Sequence, residues 1–299
     1  MSGTNLADEA AEKMTAALHA AEKKSGYLTE IVKAFGQTLV EQARWRAELP
    51  EVDAHDVSPL DPAKFAVGIP LSGREKLTRL GAVWEQAANR IMPSLAVGFP
   101  KIGSELQVIR TALAAGTFPA DDFLGAAYGG RLEEAHEIAG QIGVEPKILL
   151  FVLVQTAKPV LEKRAQALRP HIAELAWNKG YCPICGSFPE LSILRGKEGQ
   201  RRLRCSFCAN EWRFYRSACP CCEAQEPGHG EMIFVDGCEQ EFVEVCHNCK
   251  TYITGIDTRK LAEEIVPEVM EINLLHLDAI AREKGFLALK EMEGPRSAG

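Results

Sequence analysis

The sequence predicts an α+β protein: an N-terminal all-α helical bundle, then two small zinc-ribbon modules of four cysteines each, and a C-terminal helix. Two observations carry this prediction. Apolar residues recur at helical spacing through most of the first 178 residues. All ten cysteines then fall between Cys182 and Cys249, among short alternating apolar runs that are typical of small β-strands.

Length, composition and charge narrow the class of protein further. At about 150 residues per domain, the 299 residues should form about two folded units. The 46% hydrophobic and 25% charged residues indicate a globular protein. The net charge of −7 argues against a protein that mainly binds nucleic acid or anionic lipid.

We expect a cytoplasmic protein without a membrane span. The longest plainly apolar run, 148–154, is far shorter than the ~20 residues that a bilayer requires. The first 25 residues carry four acidic side chains among alanines, whereas a secretory signal has basic residues followed by an uninterrupted apolar stretch. In a reducing cytoplasm, closely spaced cysteines indicate metal binding or redox chemistry more often than structural disulfides.

The bundle begins with two amphipathic helices. Apolar residues repeat at helical spacing over 6–21 and again over 28–45, with a break at Ser25-Gly26. A connection with four prolines follows over 49–70 and is expected to wrap the surface. Further helices, each bounded by proline or glycine, are expected at 73–92, 100–115, 119–127 and 130–142.

A stronger helical segment begins after Pro146, a residue suited to a first helical turn. Its run 148–154 is apolar on all sides, which predicts a buried central helix of the bundle, kinked at Pro159. A β-strand over the same run is the alternative. The composition changes after residue 178, where cysteine appears and aromatic residues become denser, so we expect the domain boundary there.

The chain is thus divided into three predicted parts. Residues 1–178 form the helical bundle domain, 179–216 a first four-cysteine ribbon and 217–299 a second one. The second ribbon also carries a C-terminal helix at about 274–284 and a disordered tail over 293–299. Strands are expected at 191–194, 212–215 and 242–245.

Eight of the ten cysteines form four C-x-x-C pairs. Nineteen residues separate the first two pairs, which is a zinc-ribbon spacing, and twenty-three separate the last two. Two thiolates on one tight turn can face the same cation, and two such turns supply a tetrahedron of sulfurs. Four sulfurs leave no open coordination position, so each site is expected to be structural. The candidate metal ligands are Cys182, Cys185, Cys205, Cys208, Cys219, Cys222, Cys246 and Cys249.

Two metal ions per chain are expected, either Fe or Zn, because tetrahedral sulfur sites accept both. Redox-active C-x-x-C pairs and disulfides are the alternatives, and both fit the pattern less well. Cys221 could replace Cys222 as a ligand, and Cys238 is expected to be a small buried or half-buried residue. His247, which lies between two candidate ligands, is expected at the surface.

The two ribbons differ in charge. Residues 179–216 hold eight basic and three acidic side chains, whereas residues 217–255 hold one basic and seven acidic ones. The basic part, interleaved with aromatic residues, permits nucleic-acid binding, but the acidic neighbour would repel a phosphate backbone and suits a protein partner better. The chain has no H-E-x-x-H motif, Ser-His-Asp set or P-loop, so no enzyme is expected. The basic part centres on Arg195, Lys197, Arg201, Arg202 and Arg204.

The residues around the cysteines resemble the formate dehydrogenase accessory protein family, FdhE. The resemblance is specific over about 180–286 and only general over the helical half. It implies a cytoplasmic factor that is needed for active formate dehydrogenase and that binds the catalytic subunit of this molybdenum or tungsten enzyme before export. The matching segments are Cys182–Ser187, Leu203–Cys208 with Glu211-Trp212, Cys219–Cys222, Cys246–Tyr252, Leu274–Asp278 and Glu283–Phe286.

The same resemblance implies rubredoxin-like sites that can hold iron, the first four candidate cysteines binding one metal and the last four the other. Cys221, Cys238 and the longer second gap depart from the family pattern and leave the second ligand set open. The alternatives are an iron-containing, rubredoxin-like redox or electron-transfer protein and a zinc-ribbon protein that binds nucleic acid.

Overall fold

The computed structural model of the chain describes residues 3–24, 26–51, 61–262 and 264–292. These residues form two compact units, one made of 3–51 and 74–164 and the other of 61–73 and 165–292. The division falls inside the longest helix, ahead of the boundary expected near residue 178. The tail over 293–299, expected to be disordered, lies outside the described residues.

Eleven α-helices and seven β-strands occur in the described residues. The helices are α1 (Gly3–Lys24), α2 (Thr29–Glu48), α3 (Pro62–Ala66), α4 (Arg74–Leu77), α5 (Val83–Gly98), α6 (Gly103–Ala114), α7 (Ala120–Tyr128), α8 (Leu132–Gly140), α9 (Pro146–Ile172), α10 (Pro267–Asn273) and α11 (Leu275–Glu283). The strands are β1 (Pro189–Arg195), β2 (Gln200–Cys205), β3 (Glu211–Arg213), β4 (Gly230–Phe234), β5 (Glu241–Cys246), β6 (Thr251–Asp257) and β7 (Leu287–Ala288).

The first unit is a helical bundle. In it α1 packs along α2, α2 packs against α5, and α5 packs against α6. In the apolar run of α9, Leu149, Val152 and Leu153 are fully excluded from solvent, and the other four residues are half-buried. This confirms a helix with a buried face and removes the β-strand alternative, and α9 continues through Pro159. No helix in the described part of the chain is long and apolar enough to cross a bilayer.

The single helix expected over 73–92 is wrong, because the chain forms α4 and α5 with a turn between them. The carboxylate of Asp121 accepts hydrogen bonds from the backbone N–H groups of Leu80 and Gly81 at 2.9 and 3.0 Å. It also accepts one from the indole N–H of Trp84 at 2.6 Å. Gly81 has a left-handed φ of +53°, which glycine adopts readily. A carboxylate distant in the chain thus stabilises a turn that hydrophobic periodicity does not reveal.

The second unit contains one continuous seven-stranded sheet that includes both cysteine ribbons. The strand order is β3-β2-β1-β6-β5-β4, and β7 also pairs with β6. Strands β1 to β3 pair antiparallel, as do β4 to β6, whereas β1 and β6 run parallel and join the two ribbons. The short β7 runs parallel to β6. At that join Leu191 pairs with Thr254 and Ile193 with Ile256. The α+β fold class is confirmed, and the continuity of the sheet is a feature that we did not expect.

Helices α10 and α11 pack on this sheet, and α11 confirms the C-terminal helix expected over 274–284. The core between helices and sheet consists of side chains from both ribbons together with those of the helices. Its buried members are Leu191, Ile193, Val243, Val245, Tyr252, Ile256, Leu274, Leu277, Ala281, Phe286 and Ala288. Burial of this shared core ties the two cysteine ribbons into one folded body.

Candidate metal centres

The four C-x-x-C pairs lie on tight turns that share one backbone conformation. At each turn the N–H of the residue after the second cysteine donates to the carbonyl of the first cysteine, at 2.9 to 3.2 Å. The residue that donates has a left-handed backbone conformation, which costs about 1–2 kcal/mol when the residue is not glycine. Because this conformation recurs in all four turns, the turn itself is required. The four residues are Gly186, Ala209, Glu223 and Lys250, with φ of +77°, +54°, +58° and +60°.

The first four cysteines come together at one end of the first ribbon. Cys182 and Cys185 precede β1, Cys205 ends β2, and Cys208 lies on the turn before β3. The sulfur of Cys185 is 3.4 Å from that of Cys205 and 3.6 Å from that of Cys208, and the sulfurs of Cys182 and Cys208 are 3.7 Å apart. Sulfurs bound tetrahedrally to zinc are about 3.8 Å apart. The group therefore has the size of such a site, and all four residues are buried.

N–H groups surround the sulfurs of the first group. The sulfur of Cys182 accepts from the backbone N–H of Ile184 at 3.4 Å and from the side-chain amide of Asn210 at 3.8 Å. The sulfur of Cys205 accepts from the backbone N–H of Phe207 at 3.4 Å. These donors favour thiolates, whereas burial raises the pKa of the Cys205 thiol. A bound cation would compensate the charge of buried thiolates, so the sulfurs could stay deprotonated in a closed pocket.

The second group repeats the arrangement closer to solvent. The sulfur of Cys219 lies 3.6 Å from that of Cys249, and the sulfur of Cys222 lies 3.7 Å from that of Cys246. Cys222 is exposed and Cys249 is half-buried. Burial opposes ionisation of Cys249, but hydrogen bonds, first from the Thr251 hydroxyl at 3.1 Å, lower its pKa to about 7. This group is therefore the more accessible of the two.

The structure brings the eight candidate cysteines into two groups of four, and each group could hold a metal ion. Cys221 is half-buried on the turn of the second group, but Cys222 occupies the fourth position. Cys238 is half-buried and lies outside both groups. His247 is exposed, and its Nε2 lies 3.3 Å from the carboxylate of Glu231. Coordination by these cysteines, and the choice between Fe and Zn, stay predictions.

Two arginines of the basic first ribbon are buried in ion pairs that the sequence analysis did not foresee. Arg201 and Arg204 are 2% and 3% exposed. Arg201 pairs with Glu244 on β5, and Arg204 donates to Glu190 and Glu268 at 2.7 and 2.8 Å. These pairs join β2 to the second ribbon and to α10. The charge difference between the ribbons is thus partly neutralised inside the unit, and the surface is less dipolar than expected.

Comparison with known proteins places this geometry in context. Residues 181–216 match the central domain of the FdhE family. The resemblance to the FdhE family is confirmed. The protein FdhE homolog of Aquifex aeolicus (strain VF5) is 32% identical over 153 residues, which are 50% of this chain and 52% of that protein. The FdhE homolog of Shewanella oneidensis is 33% identical over 108 residues, 35% of each chain. These matches therefore span only half or a third of the relatives' length.

The fold itself resembles that of a solved FdhE protein. The crystal structure of FdhE from Pseudomonas aeruginosa superposes with a TM-score of 0.63, covering 98% of this chain and 96% of that chain at 20% identity. At this identity the likeness shows a shared fold. The segment that matches the FdhE central domain contains β1 to β3 and all four cysteines of the first group.

Proposed function

We propose that this chain is a non-enzymatic accessory factor for the assembly of active formate dehydrogenase, which acts in the cytoplasm and binds the catalytic subunit of that enzyme. One observation carries the proposal: the segment that matches the FdhE central domain is the segment that builds the closed four-cysteine group. The formate dehydrogenase client follows from the family resemblance of residues 180–286.

A structural role for the two metals is consistent with the geometry. Four-sulfur coordination leaves no position for water or substrate, and the described residues hold no other group of candidate ligands. Metal binding to small cysteine modules contributes on the order of 10 kcal/mol or more per site in model peptides. That free energy would hold the four strained turns, and through them the sheet, in a shape that a partner can recognise.

Co-purification tests the proposal. The tagged chain would be isolated anaerobically from its own host at endogenous level, and bound proteins identified by mass spectrometry. We expect the formate dehydrogenase catalytic subunit, and we expect its loss when Cys182→Ala and Cys205→Ala are combined. Cys238→Ala is the matched control, because Cys238 lies outside both groups, and it should retain the subunit. Recovery of ribosomal proteins or RNA instead of the catalytic subunit would contradict the proposal. So would a double variant that recovers as much of the subunit as the wild type.

Exposure of the second group favours one alternative, an electron-transfer role for iron bound there. Cys222 is exposed, so a metal at this group would lie near the surface, where a redox partner can approach. Reversible Fe(III)/Fe(II) absorbance changes at a physiological potential would support this alternative. A protein that binds only zinc, without visible absorbance, would eliminate it.

Nucleic-acid binding loses support from the structure. Arg201 and Arg204, two of the five basic residues that suggested it, are buried and ion-paired. They present no charge to a phosphate backbone. Contacts with phosphate are strongest at low salt. If an electrophoretic shift needs millimolar protein even at low salt, nucleic-acid binding is ruled out.

A further inference from the structure

A groove lies beside the first cysteine group, within the second unit, and has a volume of about 620 Å³. One wall comes from the C-terminal end of α9 and the residues that follow it. The rest of its lining includes Pro183 on the first cysteine turn and residues 210–213, which include β3. Its charged and aromatic lining consists of Phe65, Arg169, Trp177, Arg202, Glu211, Trp212 and Arg213.

The groove is basic although the chain carries a net charge of −7. Glu211 is the one carboxylate among the described residues that line it, and it lies 3.2 Å from Arg195 and 3.6 Å from Arg202. Burial lowers the pKa of Arg202, and the charges of Arg195, Arg213 and Arg169 lower it further against the opposing effect of Glu211. Three guanidinium groups line the groove and that of Arg195 lies near them. With one carboxylate between them, they favour an anionic ligand.

The guanidinium group of Arg169 is held in place without a neutralising carboxylate. Arg169 donates to the side-chain oxygen of Asn210 at 3.0 Å and to the carbonyl of Ala209 at 3.3 Å, and both acceptors are neutral. The side chain of Arg213 is exposed and makes no hydrogen bond or ion pair with the residues that the structure describes. Each guanidinium has five N–H donors, so donors remain for a ligand.

The aromatic residues give the groove a rigid apolar wall. The indole N–H of Trp177 donates to the carbonyl of Tyr181 at 2.8 Å, and that of Trp212 to the carbonyl of Lys179 at 3.1 Å. Phe65 packs against Trp177 with ring centroids 4.6 Å apart. Trp212 and Phe65 are buried, whereas Trp177 is half-buried. Because the indole N–H of Trp177 already has an acceptor, its ring offers a ligand apolar surface, and the buried ring of Phe65 holds it in place.

We propose that this groove binds an acidic peptide segment that carries apolar or aromatic side chains, and that the segment belongs to the client subunit. The identity of the client rests on the proposed function. Carboxylates pair with guanidinium groups through two parallel hydrogen bonds, and apolar side chains pack on fixed aromatic rings. A nucleic acid fits less well, because a phosphate backbone requires a long basic track and the second ribbon is acidic.

The first cysteine group borders this groove through Pro183 and Asn210. The side-chain amide of Asn210 approaches the sulfur of Cys182 at 3.8 Å, while its oxygen accepts from Arg169. Pro183, between the first two cysteines, lines the groove directly. Loss of the first metal should therefore weaken peptide binding, which gives the metal a role in client recognition without chemistry at the metal.

A pair of charge reversals tests the groove in the full chain. Arg213→Glu changes an exposed groove residue, and Lys197→Glu makes the same charge change at an exposed residue of the same ribbon outside the groove. We expect Arg213→Glu to reduce recovery of the catalytic subunit at least tenfold and Lys197→Glu to leave it unchanged. Both variants should retain the wild-type metal content and melting temperature, measured by mass spectrometry of the metals and by thermal unfolding.

A photoreactive amino acid at Ala176, an exposed groove residue, identifies the segment that binds. The cross-linked peptide should come from the catalytic subunit and be rich in Asp and Glu with apolar neighbours, whereas a basic peptide or RNA would overturn the inference. Equal recovery of the subunit by wild type and Arg213→Glu would contradict the groove as the binding site and leave the proposed function standing. Failure of the wild-type chain to recover the subunit would overturn the proposed function, and the client named here with it.

Discussion

The left-handed residue after each second cysteine is the most demanding requirement at the scale of single residues. Ala209, Glu223 and Lys250 are the only non-glycine residues with positive φ in the described part of the chain. Each costs about 1–2 kcal/mol, which is small beside the free energy of metal binding. The left-handed conformation at these positions is therefore as characteristic of the sites as the cysteines are. In the sequence, only Gly186 indicates it, because glycine favours that conformation.

Replacing Ala209 with glycine should stabilise the metal-loaded protein. Relief of the left-handed strain, about 1–2 kcal/mol, outweighs the extra entropy that glycine gives the unfolded chain, about 0.5–1 kcal/mol. We expect a gain of about 0.5–1 kcal/mol in the free energy of unfolding, measured with urea. Ala224→Gly is the control, because Ala224 is also half-buried but is not left-handed, and it should not stabilise. Equal destabilisation by both changes would argue against strain at Ala209.

At the scale of elements, buried ion pairs connect parts of the second unit that are far apart in the chain. Arg204 on β2 reaches Glu190 on β1 and both Glu268 and Glu271 on α10. Arg201, also on β2, reaches Glu244 on β5. The basic and acidic ribbons therefore attract one another across the sheet, in addition to sharing a core.

Arg204→Met should destabilise the protein strongly. The change removes the cation and leaves carboxylates buried without their partner, which costs about 3–5 kcal/mol. Arg259→Met is the comparison, because Arg259 pairs with Asp257 at the surface and exposed pairs contribute about 0–1 kcal/mol. Urea unfolding of both variants gives the two free energies. A loss at Arg204 no larger than that at Arg259 would show that the buried pairs do not hold α10 to the sheet.

At the scale of the whole molecule, the two cysteine groups differ in their access to solvent. The four cysteines of the first group are buried, whereas Cys222 is exposed and Cys249 half-buried in the second. Protons compete with metal for thiolates, so both groups should lose metal as the pH falls. Exposure should decide which metal leaves first.

Metal transfer to a coloured chelator at neutral pH should therefore show two phases of equal size. We expect the second group to release its metal at least tenfold faster, because the chelator can reach its exposed sulfur. Cys222→Ser should abolish the fast phase and Cys185→Ser the slow one. A single phase in the wild-type protein, or loss of the slow phase in Cys222→Ser, would show that exposure does not control release.

Several features of the site depend on contacts that no local pattern encodes. The sequence predicts only that the connection over 49–70 wraps the surface, yet the two residues that directly follow it hold the first cysteine turn. The N–H of Leu71 donates to the carbonyl of Pro183 at 2.8 Å, and the N–H of Ser72 donates to that of Ile184 at 2.9 Å. The ion pairs of Arg204 and the turn stabilised by Asp121 are of the same kind.

The eight cysteines, their division into four turns, and the order of bundle, ribbons and C-terminal helix could all be read from the chain. They are local features, because the spacing of two residues on a turn and the period of a helix follow from covalent geometry. The joining of both ribbons through β1 and β6 and the basic groove emerged only on folding. Each depends on residues distant in sequence, whose approach is set by the summed burial and pairing of the whole unit.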